Sequence, residues 1–113
     1  MSKASFDTEV KKALDPILLR NPSVVSGRMF GYPAYYINGK LFACIYEKGV
    51  GVKIPAHLAN QLIGKGDAVY FQPMGRARMK EWVRIDRENP EDYLKDEGLF
   101  GTSMSFVASL GSK

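Results

Sequence analysis

The chain has 113 residues, which fits one domain with a core that needs no metal or disulfide staple. Hydrophobic residues at 45% and charged residues at 25% exclude a disordered chain, and one cysteine excludes an internal disulfide. No apolar run approaches the roughly 20 residues of a membrane-spanning helix, and the net charge of +4 is uneven: residues 28–87 carry ten basic and four acidic side chains, residues 88–113 two and five.

Residues 1–7 lack the apolar stretch of a signal peptide, so a cytoplasmic protein is expected. Asp7 can cap a first helix running to about Arg20, with Phe6, Val10, Leu14, Ile17 and Leu18 on one stripe. Pro16 should kink that helix or end its first part, and Asn21-Pro22-Ser23 stops it. A short strand then begins at Val24 or Val25, is interrupted at Ser26-Gly27 and reaches Phe30.

Two runs rich in aromatic and β-branched residues flank Asn38-Gly39. A two-residue hairpin turn needs positive φ at both central positions, and Asn-Gly adopts that most readily. The turn pairs Ile37 with Lys40, Tyr36 with Leu41, Tyr35 with Phe42 and Ala34 with Ala43. Alternation then puts Tyr35, Ile37, Lys40, Phe42, Cys44 and Tyr46 on one face, and Ala34, Tyr36, Leu41, Ala43 and Ile45 on the other. Small Ala34 and Ala43 suit the second set to lie under helices. The aromatic set is expected to be partly open, a candidate contact surface; the alternative is that a loop or helix covers it.

Glu47-Lys48-Gly49 turns the chain into a half-buried strand over 50–54, so four strands form an antiparallel meander. Pro55 opens a middle helix with Leu58, Leu62 and Ile63 inward and Gly64 as its stop. Ala68 to Phe71 is a short strand, and Gln72 to Gly75 a turn. Met79 to Ile85 is a final strand, with Met79, Val83 and Ile85 on one face and Lys80, Trp82 and Arg84 on the other. Asn89-Pro90-Glu91-Asp92 starts a last helical region, two short helices or one bent one. This order implies an α+β two-layer domain over residues 1–113, an antiparallel sheet with helices on one face.

Several short motifs, in order, are similar to the N-terminal domain of the TfoX/Sxy family. They are Arg28-Met29-Phe30-Gly31, Asn38-Gly39, Val52-Lys53-Ile54-Pro55, and Phe71-x-Pro73-Met74-Gly75-Arg76-x-Arg78-Met79-Lys80-x-Trp82-Val83. The resemblance spans about residues 7–110. Glu81 departs from it, since family members often have Gly there, and a stand-alone copy without the family's second, C-terminal domain is expected. The resemblance implies a curved antiparallel sheet like that of secretion chaperones. It also implies regulation of natural competence beside a transcription activator, and no catalytic residues.

The chemistry-bearing inventory is thin. His57 reads as a surface or capping residue of the middle helix, and Cys44 as an inert buried thiol. One His and one Cys are too few soft ligands for zinc, and Gly64-Lys65-Gly66 is no phosphate-binding loop. No cofactor is expected. Two contact surfaces remain. The aromatic hairpin face with Tyr35, Phe42 and Tyr46, together with Trp82, suits a protein partner or a second copy. Arg76, Arg78, Lys80 and Arg84, with Arg28 on the same basic rim, suit nucleic acid, with Trp82 as a stacking platform. A non-enzymatic adaptor acting by protein contact is the first reading, its partner a regulator of transcription in the family's manner. Direct polyanion binding is the alternative, and a core-edge Trp82 with water-facing arginines is the plainer one.

Overall fold

The computed structural model describes residues 6–73 and 79–110. Helix α1 (Thr8–Leu18) starts where the Asp7 carboxylate accepts the Glu9 N–H at 2.9 Å. It buries Val10, Leu14 and Leu18. Of the two outcomes expected at Pro16, an end or a kink, the end does not occur. The only carbonyl that loses its donor there is that of Lys12, on the water-facing side.

Strands β1 (Val24–Met29), β2 (Tyr32–Ile37), β3 (Lys40–Tyr46) and β4 (Gly49–Lys53) form the antiparallel meander. Helix α2 (Ala56–Gly64), β5 (Val69–Tyr70) and β6 (Trp82–Ile85) follow. The 3₁₀ segment Pro90–Asp96 then runs into α3 (Glu97–Ser109). The sheet is antiparallel and open, in the order β1-β2-β3-β4-β6-β5. The α+β architecture is therefore as expected, with three corrections along the strands. Strand β1 passes through Ser26-Gly27 without a break, and Phe30 belongs to a turn. Met79 and Lys80 precede β6 rather than extend it.

The third correction concerns the hairpin. Asn38 and Gly39 have φ of 51° and 77°, as an Asn-Gly turn requires. Tyr36 faces Leu41, but Tyr35 faces Ala43, because Phe42 is an extra residue at a β-bulge. One inserted residue reverses the facing of everything beyond it. Tyr35, Phe42, Ala43 and Ile45 thus share the helix-covered core with Val50, Val52, Val83 and Ile85. Leu41, Cys44 and Tyr46 join Tyr32, Ala34 and Tyr36 on the opposite face.

All helical elements pack on the first face. Val10, Leu14 and Leu18 of α1, Ala59 of α2, Tyr93 of the 3₁₀ segment and Phe100 and Val107 of α3 complete that core. Leu58, Leu62 and Ile63 pack against it, half-buried. Helix α2 ends at Gly64, as expected, and Gly66 with φ of 80° follows its cap.

Candidate functional site

Among the described residues no helix covers the second face of the sheet, yet most of it is closed by side chains. Tyr32, Tyr46, Phe71 and Trp82 form a row of rings with successive centroid separations of 4.6, 5.6 and 5.8 Å. Phe71 lies directly over Gly51, where a Cβ would meet its ring at 2.7 Å. Glycine is required there by close approach, not by backbone conformation. Above Tyr46 stands the Arg84 guanidinium, 5.9 Å from the ring centroid.

The expected open aromatic surface is therefore corrected. Tyr35 and Phe42 are fully buried beneath the helices; the bulge at Phe42 brings Ala43 and Ile45 to their face and moves Cys44 and Tyr46 to the other. The Tyr35 hydroxyl donates to Asp15 at 2.5 Å, and burial first, then that bond, pushes its pKa well up. Tyr46 does sit on the helix-free face, but it is nearly closed off. Cys44 is buried, and burial pushes its thiol up to about 12, which keeps it protonated and unreactive.

The basic residues meet different fates. Arg84 is half-buried and bonded to Asp86 at 3.0 Å, with Glu47 at 3.6 Å. Arg28 is exposed on β1 and donates to the Gly31 carbonyl at 3.2 Å. Lys80 is exposed in the turn before β6. Arg76 and Arg78 lie outside the described residues. His57 is exposed near the start of α2.

One apolar opening on the helix-free face lies at the end where β1 meets β2. Phe30 and Gly31 link β1 to β2 with φ of 52° and 87°. Both central residues are left-handed, as a tight hairpin turn demands, but Phe is poorly suited to the position. Its conformation costs on the order of 1–2 kcal/mol. The side chain is nevertheless 67% exposed. With Met29, Leu41, Phe71, Met79 and Trp82 it lines an apolar hollow of about 140 Å³. Phe30 thus combines an unfavourable backbone conformation with a largely exposed apolar ring.

Sequence reasoning missed this patch because it extended β1 through Phe30 and placed Met79 on a core-facing strand. A signal was available: Phe30-Gly31 separates two strand-length runs by two residues ending in glycine, like Asn38-Gly39. Trp82, a candidate from the sequence, is half-buried at the rim of the hollow.

A larger cleft of about 400 Å³ opens between Phe6, Asp7, Glu47, Lys48 and Arg84. Its arginine is already engaged by Glu47 and Asp86. Among the described residues no group of three His, Cys, Asp or Glu side chains is placed to hold a metal ion. No helix there is long and apolar enough to cross a membrane. No family model, curated protein or solved structure matches the chain.

Proposed function

We propose that the chain is a non-enzymatic binding module that acts by protein contact through the Phe30 patch, not through the middle of the hairpin face. The observation that carries this reading is Phe30 itself, exposed at positive φ beside Met79 and Trp82. Large apolar and aromatic residues around a hollow have the composition of a contact hot spot. The similarity to the TfoX/Sxy N-terminal domain supplies the context: an adaptor that meets a regulator of transcription in the cytoplasm.

Phe30→Asn tests it. Asn-Gly is the preferred pair for this turn, so the variant should be more stable by about 1 kcal/mol, read from its denaturation midpoint. It should at the same time lose the partner that the wild-type chain retains in an affinity purification from its own cell. A gain in stability with partner recovery unchanged would reject the patch as the contact surface.

A further inference from the structure

Strand β1 is one end of the sheet, and only β2 pairs with it among the described residues. The opposite end is β5, two residues long. Native sheets protect long edges with proline, lysine, bulges or a covering element. Over Val24–Met29 there is no proline, lysine or bulge, and four of its six residues are exposed. Pro33, which has no N–H, stands opposite Arg28. The Arg28 backbone therefore belongs to a pair whose polar groups point away from β2, and alternation gives Ser26 the same direction. The Tyr36 hydroxyl takes one of those groups, the Arg28 carbonyl, at 2.7 Å.

The two sides of this edge differ in chemistry. On the helix side, Ser26 and Arg28 border a groove of about 240 Å³ whose far wall includes Lys11. Lys11 is paired with Asp15 at 2.7 Å, whereas Arg28 has no ion pair among the described residues. On the other side stand Val25, 63% exposed, and Met29, which continues into the Phe30 hollow.

We infer that β1 accepts an extended segment of a partner protein as a seventh strand, and that this segment alternates apolar and acidic side chains. Main-chain bonds to Ser26 and Arg28 hold the segment, while its side chains separate by face. Those on the helix side meet Arg28 and the groove, which favours carboxylates. Those on the open side meet Val25, Met29 and Phe30, which favours aliphatic or aromatic groups. The inference rests on the Phe30 patch being a contact surface, since it supplies the apolar half.

The test uses the full chain and three peptides of the length of β1: alternating valine and aspartate, alternating valine and lysine, and the first composition with its residues in blocks. Trp82, the one tryptophan, reports on the hollow by its emission. Amide hydrogen exchange of Ser26 and Arg28 reports on the edge. The valine–aspartate peptide should shift the emission and slow exchange at both amides, and the other two should do neither. Arg28→Glu, a change at an exposed site, should weaken that peptide about tenfold or more and admit the valine–lysine one. Emission changes without β1 protection would overturn the edge and leave the patch standing. Protection that is indifferent to Phe30→Asn, with unchanged emission, would instead sink the patch reading. No response at millimolar peptide would overturn the inference. So would exchange at β1 that slows with protein concentration alone, because the occupant would then be a second copy.

Discussion

Ser103 is the buried polar residue of the described chain, and its place in α3 puts one hydroxyl between two strands. It lies 2.6 Å from the Lys53 carbonyl and 3.2 Å from that of Phe42. A hydroxyl has one proton, so it satisfies one of them at a time, the nearer being Lys53. Phe42 is the bulged residue, whose ladder bonding is disrupted. A donor from α3, 61 positions away, is thus built against the irregularity in β3. Ser103→Ala should leave buried carbonyls without that donor and cost about 1–3 kcal/mol in urea denaturation. A variant as stable as the parent would show that water replaces the hydroxyl. None of this is legible in the local sequence, where Ser103 sits between Thr102 and Met104 in an ordinary helical run.

At the scale of elements, the 3₁₀ segment behaves as a clasp. The Asp92 carboxylate accepts the Asn89 N–H at 3.3 Å, so the expected start at Asn89-Pro90 holds. At the other end Asp96 takes two bonds from Arg87, at 2.8 and 2.6 Å. That pairing holds the Arg87 guanidinium above its ordinary pKa. Between them the Tyr93 hydroxyl accepts the Arg87 N–H at 3.2 Å and donates to the Ile85 carbonyl at 3.3 Å. The segment therefore ties the end of β6 to the start of α3. Asp96→Ala would strand a partly buried guanidinium and should destabilise the fold by about 2 kcal/mol. Thermal unfolding at low and high salt should show a loss that salt does little to change, because the pair is bidentate and partly screened from water. The start of the last helical region was readable from Asn89-Pro90, whereas the glycines at 98 and 101 do not interrupt α3. The clasp was not readable, since Arg87 and Asp96 are neighbours only once the chain has turned.

Across the whole molecule, three buried acids of the neutral kind share one sign. Burial raises the Tyr35 and Tyr93 hydroxyls and pushes the Cys44 thiol up to about 12. Each must stay protonated in the folded state, while the unfolded chain releases its protons at about 8.5 for thiol and about 10 for phenol. Their stabilisation is complete below those values and declines as pH rises through them toward the folded ones. The melting temperature should therefore hold steady up to about pH 8.5 and fall progressively above it. Cys44→Ser should leave the later, tyrosine part of the fall in place. A melting temperature that rises between pH 9 and 11 would contradict the sign.

Local chemistry by itself determined much of this protein. Asn38-Gly39 specifies its turn through allowed φ, Asp7 and Asn89 mark helix starts, and the periods of 3.6 and 2 separate helices from strands. Those properties depend on residues a few positions apart, so the α+β order and the antiparallel meander follow from the string of residues. Which face each strand residue takes was decided only in three dimensions. A single bulge at Phe42 reversed the facing of Ala43 to Tyr46, which put Ala43 and Ile45 in the core beside Tyr35 and Phe42 and sent Cys44 and Tyr46 to the other face. Phe71 closing over Gly51, and Phe30 held out at a strained turn, likewise depend on packing between distant segments. Alternation carries no information about where it will be interrupted, because an interruption is stable only when something remote satisfies the backbone that it leaves unpaired.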